Sequence, residues 1–307
     1  MTDKANQVIK VAIVYHCIAH YREPIFRLLC EQDNGIEYTL VSGESDHTPS
    51  LNTVDIGKAK IPIEKGGLRW RLVKNIWFGK KLLWQSGVVR LAFSREFDVI
   101  IYLGVVYHLS TWVSCFLARL IGKKTYMWSH GYLRKEAGLK GTIRSIFYRL
   151  CDGMFLYHHR ARDILIERGF DPRKLDVLYN SLDVEKQKKI RQTITEEVRV
   201  NIKKKLFKGS SKPVLLWIGR LTAHKKLNML IEAVSMLEKQ GVEVDLLFVG
   251  DGPEKDTLIN NVINRNLQDK VRFYGSCHNE AELGPIISMS DICIAPGEVG
   301  LTCMHSL

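Results

Sequence analysis

Residues 215–226 read LLWIGRLTAHKK: a run of apolar residues breaks at Gly219, and Arg220 and Lys225 follow within a few residues. An apolar run of this length closed by a glycine has the pattern of a buried strand. The two cations therefore fall just past the strand's carboxyl end, where a turn by itself requires neither. Arginine offers a planar fork suited to phosphate oxygens and lysine adds a mobile point charge, so the pair is a candidate anion site.

Reading outward, VDLLFVG, VRFYGS and DICIAPG repeat the strand pattern downstream, and LNMLIEAVSMLEKQG places Leu227, Leu230, Ile231, Val234 and Leu237 on one helical face, with Gly241 as terminator. Upstream, KVAIVYH, EYTLVSG, DVIIYLG, KTYMWSHG and GMFLYHH are further apolar runs, each followed by helical periodicity or a loop. Such alternation is the mark of βαβ units and parallel sheets. The charged stretch 185–212 separates the two series and ends in Gly-Ser-Ser-Lys. The expected organisation is an N-terminal Rossmann-like domain over 1–184, a linker over 185–212 and a second Rossmann-like domain over 213–307. In open α/β sheets ligands sit beyond the carboxyl ends of the strands, which is where Arg220 and Lys225 fall.

Composition agrees with a soluble globular chain: 307 residues, 46% hydrophobic and 25% charged, enough for two cores. The net charge of +12 calls for an anionic partner, and no recognised nucleic-acid motif accompanies it, so nucleic acid is not expected. Seven scattered cysteines without a CxxC pair read as reduced thiols of a cytoplasmic protein, with no metal site. The polar start and the short run VAIV exclude a signal peptide core. The apolar span 99–122 contains His108 and Arg119, and it divides into a strand, a Gly104 turn and a helix rather than one membrane crossing.

Other residues are candidates for chemistry. His130 follows the run YMWS and precedes Gly131, a place for a hydrogen-bonding or proton-handling group. Gly250 and Gly252 suit a tight turn ahead of a helix opening at Pro253, but the third glycine of a dinucleotide fingerprint is missing. The segment 296–307 sets Gly297 and Gly300 around Glu298 before a helix start, whose exposed N–H groups suit phosphate. Phosphate-loop, HExxH and GxSxG motifs do not occur. Residues 65–90 hold seven Lys or Arg, three Trp and no acid, the composition of an amphipathic helix on an anionic membrane surface or on the first sheet.

Taken in combination, IGRLTAHKK, VGDGPEKDTL, VRFYGS followed by NEAEL, and DICIAPGEVGL resemble, in order and spacing, the donor-binding domain of the retaining GT-B glycosyltransferases of family 4; LDVLYNSLDVE resembles that family's linker. The resemblance covers roughly residues 150–307 well and the first 150 in outline. It implies that Arg220 and Lys225 bind the diphosphate of a nucleotide-sugar donor, that Gly250 belongs to the donor-side turn, that Gly300 and Leu301 meet the distal phosphate, and that Glu298 reaches the transferred sugar. His130 matches a family histidine near the reacting centre. It further implies retention of configuration, a glycan or lipid-linked acceptor and a role in cell-surface polysaccharide or glycolipid synthesis. Cations at the leaving diphosphate make a metal or other cofactor unnecessary, and the segment 65–90 adds an expected peripheral place on the inner face of the plasma membrane. Two departures follow. Ser306 stands where the family has a second Glu, and the sequence stops at Leu307, so the second domain is expected to be incomplete; a non-catalytic membrane-surface or nucleotide-binding module is the alternative reading.

Overall fold

In the computed structural model, residues 8–44, 53–180 and 182–299 are described, and they divide into two compact units between Asn180 and Ser181. The first unit runs β1 (Ile9–Val14), α1 (Glu23–Glu31), β2 (Ile36–Ser42), β3 (Trp70–Leu72), β4 (Asn75–Phe78), β5 (Leu82–Gln85), α2 (Val88–Phe93), β6 (Val99–Leu103), α3 (Leu109–Leu120), β7 (Lys124–Ser129), α4 (Gly138–Tyr148), β8 (Gly153–Leu156), α5 (His159–Glu167) and β9 (Leu175–Val177). Seven strands form a parallel sheet in the order β3-β2-β1-β6-β7-β8-β9. Right-handed crossovers demand helices on its faces. One face packs Val88, Leu91, Cys115, Phe147 and Leu165 from α2 to α5 on the sheet, and the other packs Phe26 of α1 with Val54 and Leu68. The direction of sheet growth reverses between β1 and β6.

Residues 65–90 do not form the expected helix. They supply β3 and an antiparallel hairpin of β4 and β5, with the first turn of α2 at the end. Gly79 and Gly87 take positive φ, and a period-two alternation of exposed and half-buried residues runs through β4. Trp70 is buried against the sheet, donating to Ser42 Oγ at 2.9 Å, so it is not an interfacial anchor. The 99–122 span divides as expected into β6 and α3, and no helix among the described residues is long and apolar enough to cross a membrane.

The second unit begins with α6 (Val184–Thr193) and α7 (Glu196–Phe207), then β10 (Val214–Ile218), α8 (Asn228–Lys239), β11 (Asp245–Val249), α9 (Lys255–Asn264), β12 (Val271–Gly275), α10 (Glu280–Ser288) and β13 (Ile292–Cys293). The stretch expected as a linker is thus two helices, capped by the side chains of Asp183 and Thr195. They bury only Phe207, hence their linker-like composition. They are still part of the fold: Ile190 lies where a Cβ on Gly284 of α10 would stand, and Arg199 donates to the Ser288 carbonyl at 2.8 Å. The helix after the GDGP turn opens at Lys255, two residues beyond Pro253. All four strands are parallel, in the order β12-β11-β10-β13. Its reversal lies between β10 and β13.

Candidate active site

A reversal of strand order leaves two loops diverging from neighbouring strand ends, and the crevice between them is where open α/β sheets hold ligands. In the second unit the loop after β10 carries Gly219–Lys225 and the loop after β13 carries Pro296–Glu298. The Lys225 ammonium donates to the Glu298 carbonyl at 2.6 Å. A Cβ on Gly297 would stand 2.5 Å from the His224 carbonyl, so only glycine admits this approach. The Glu298 carboxylate is exposed, 4.0 Å from His224 Nε2. Arg220 is exposed and has no ion pair among the described residues. The two loops therefore bring together the Lys225 ammonium, held on the Glu298 carbonyl, the Glu298 carboxylate and the His224 imidazole, and the first of them also carries the unpaired Arg220.

The neighbouring loops brace it. Gly219 N–H donates to the Val249 carbonyl, Leu221 N–H to the Asp251 carbonyl and Gly250 N–H to the Gly275 carbonyl, at 2.9, 2.9 and 2.8 Å. Gly250, at φ 145°, comes so close to the Gly219 carbonyl that a Cβ would overlap it at 1.9 Å. Gly250 thus holds the Arg220 loop through the backbone. His224 was not singled out in the sequence; its proximity to Glu298 depends on the short 3₁₀ turn Ala223–Lys225, which no local pattern announces. Gly300, Leu301 and Ser306 lie outside the described residues.

His130 belongs to the first unit, in the turn after β7, where Ser129 Oγ accepts from Gly131 N–H and donates to the Gly104 carbonyl. Its ring lies 4.4 Å from that of Tyr157. Partial burial, then His158 and Arg22, hold its pKa below the ordinary histidine value, so it is neutral at pH 7 and able to accept a proton. Arg22 is a second residue that the sequence did not mark. It is 5% exposed, donates to the Tyr157 hydroxyl at 2.7 Å and lies over the rings of Tyr21, Trp128 and Tyr157, yet its Nη1 has no hydrogen-bond partner.

Comparison with known proteins separates fold from family. Residues 198–304 match the family model described as Glycosyl transferases group 1. Among curated proteins, alpha-D-kanosaminyltransferase of Streptomyces kanamyceticus is 28% identical over 116 residues, covering 37% of this chain and 30% of its own. A Campylobacter jejuni enzyme, N-acetylgalactosamine-N,N'-diacetylbacillosaminyl-diphospho-undecaprenol 4-alpha-N-acetylgalactosaminyltransferase, is 28% identical over 117 residues, 38% of this chain and 28% of its own. The matched segment thus spans less than a third of either relative. In structure, Anabaena HepE in complex with UDP superposes with a TM-score of 0.67 at 15% identity over 97% of this chain and 78% of that one. The chain has the two-domain α/β fold of GT-B glycosyltransferases, and its second unit carries the sequence pattern of the group 1 glycosyl transferases.

Proposed function

We propose that the protein transfers a sugar from a nucleotide-diphosphate sugar to a glycan or lipid-linked acceptor, with retention of configuration and without a metal ion, in cell-surface polysaccharide or glycolipid synthesis. The observation that supports this reading is the placement of Arg220, Lys225 and Glu298 on the two loops that diverge at the β10/β13 reversal. The UDP of HepE and the diphospho-undecaprenol in the Campylobacter enzyme's name are the donor and acceptor chemistry it invokes. Retention rests on the family resemblance, and peripheral attachment to the inner face of the plasma membrane on the excess of cations.

The chemistry follows from charge. As the glycosidic bond to the diphosphate lengthens, the sugar becomes oxocarbenium-like and negative charge grows on the departing oxygen. Arg220 and Lys225 are fixed cations for that charge, and they bind it more strongly at the transition state than in the donor. A metal is then not needed for the leaving group. Glu298 accepts hydrogen bonds from the sugar hydroxyls, and His130 is carried only by the family resemblance as a proton-handling residue.

Thermal melting with UDP, GDP, ADP and CMP tests the site directly, since a ligand that binds only the folded state raises the midpoint. At a hundredfold excess over Kd the gain is about 2.7 kcal/mol. One nucleotide should shift the midpoint, and Arg220→Ala should abolish that shift. Transfer from the corresponding nucleotide sugar then separates an enzyme from a nucleotide-binding module.

A further inference from the structure

Helix α3 is amphipathic in the wrong sense for a surface helix. It buries Ser110, Thr111, Ser114, Cys115 and Ala118 and turns Leu109, Val113, Phe116 and Leu120 to the outside, Phe116 at 51% and Leu120 at 66% exposure. The buried hydroxyls are satisfied: Ser114 Oγ bonds the Tyr102 hydroxyl at 2.6 Å and the Val88 carbonyl at 3.0 Å. The inward face is therefore settled, and the outward apolar stripe is not a core stripe facing the wrong way. Helix α4 repeats the pattern, with Leu139 (76%), Ile143 and Ile146 exposed at helical spacing. The two helices lie side by side, through Trp112 against Phe147 at 4.8 Å and Arg119 donating to the Arg149 carbonyl at 2.6 Å. The turn ahead of α3 and helix α4 frame a groove of about 410 Å³, lined by Val106, Tyr107, Leu139 and Ile143 with Lys140 and Arg144.

Charge selects the occupant. Residues 105–150 hold eight Lys or Arg and one acid; Arg144 pairs with Glu136 at 3.0 Å, Lys135 with Glu167 at 2.7 Å and Lys124 with Asp152 at 3.6 Å, which leaves Arg134 and Lys140, beside and on α4, exposed and without an ion pair among the described residues. A second copy of the same face would bring like charges together in an apolar contact. A bilayer bearing anionic headgroups offers both an apolar interior for the stripe and counter-charge for its rim. At 12 residues, α3 is about 18 Å long, the length of a helix that lies in the interface and not across it.

We infer that the outer face of α3 and α4 is a seat for an anionic phospholipid bilayer. This deepens the proposed membrane attachment, moving it from residues 65–90 as a helix to a face made by later elements. The β4–β5 hairpin adjoins it, Leu83 N–H donating to the Tyr107 carbonyl at 3.0 Å, and its tip exposes Phe78 and Leu82 beside Lys80 and Lys81.

The test is co-sedimentation of the 307-residue chain with phosphatidylglycerol/phosphatidylcholine vesicles and with phosphatidylcholine alone. The chain should pellet with the anionic vesicles and be released by salt. The triple variant Phe116→Asn/Leu120→Asn/Leu139→Asn, at exposed positions that leave the core intact, should lower the partition coefficient at least about tenfold without lowering the melting midpoint. Arg134→Gln/Lys140→Gln should lower it about fivefold per cation. Failure of the unaltered chain to pellet with anionic vesicles overturns the bilayer. Full binding by both variants, or loss only on Phe78→Asn/Lys80→Gln/Lys81→Gln, overturns this face. A concentration-dependent dimer that the apolar triple disperses would make a second copy the occupant. The nucleotide-induced midpoint shift, read on the same variants, reports the donor site separately, so the failure of one reading is not the failure of the other.

Discussion

The Lys225 ammonium donates to the backbone carbonyl of Glu298 at 2.6 Å, tying the loop after β10 to the loop after β13 across the sheet's reversal. A carbonyl uses one N–H of an ammonium that carries three, so the charge itself remains available to an anion. Replacing Lys225 by Ala should weaken binding of the preferred nucleoside diphosphate about 10- to 100-fold, the range expected for a hydrogen bond to a charged group. The ligand-free midpoint should barely move, because the bond is exposed. Calorimetric titration beside thermal melting reads both, and an unchanged Kd would remove the diphosphate from this loop.

Gly250 and Gly241 both have positive φ but different surroundings, which makes them a matched test of the bracing loops. A Cβ at Gly250 would overlap the Gly219 carbonyl, whereas one at Gly241 (φ 77°) meets nothing within 4 Å. Gly241→Ala should cost about 1 kcal/mol, the strain of a left-handed residue alone. Gly250→Ala should cost about 2 to 4 kcal/mol and abolish the nucleotide shift, because the backbone carrying Arg220 must move. Equal losses in denaturant titrations would show that the close approach is not what selects glycine here.

Much of this architecture was legible because βαβ units write themselves locally. The runs that became β1, β2, β6, β7, β8 and β10 to β13 are apolar over a strand's length and end in a turn residue or a cap. Residues 65–90 misled because seven cations and three tryptophans give the same composition to a basic helix and to a twisted hairpin; the turn glycines Gly79 and Gly87 were the better signal. The stretch 185–212 misled for the opposite reason, since helices burying one residue between them show no apolar stripe. At the candidate site, Arg220, Lys225 and Glu298 could be marked because each lies in the loop that follows a strand, β10 for the first two and β13 for the third. Arg22 could not, since its burial depends on Trp128 and Tyr157, more than a hundred residues away.

The depressed pKa of His130 has a consequence for acid stability. Its causes, burial first and then His158 and Arg22, all oppose the protonated form in the folded chain. As pH falls below about 6.5 the unfolded chain takes up the proton first, so stability declines from there down to the folded pKa, and above 6.5 this group contributes no slope. His130→Asn should therefore flatten the fall in unfolding free energy between pH 7.5 and 5.5, measured by urea titration. An identical pH slope in the variant would mean that the acid sensitivity resides elsewhere, His158 being the next group with a lowered pKa.

Arg22 is a buried cation with aromatic faces and one phenol for company and with Nη1 unpartnered. Desolvating a guanidinium is costly, and cation–π contacts with Tyr21, Trp128 and Tyr157 offset only part of that cost. An apolar side chain of similar length should fit the same aromatic sleeve without the charge. Arg22→Met is thus expected to leave the melting midpoint unchanged or higher, while the His130 pKa, followed by the ring-proton shifts in NMR, rises because a nearby positive charge is gone. Tyr157→Phe should act oppositely on stability, costing about 1 to 3 kcal/mol, since it takes away the hydroxyl that the buried guanidinium uses. A large loss of stability in Arg22→Met, with His130 unmoved, would show that the arginine is a packing element and that the histidine's environment is set by burial and His158 alone.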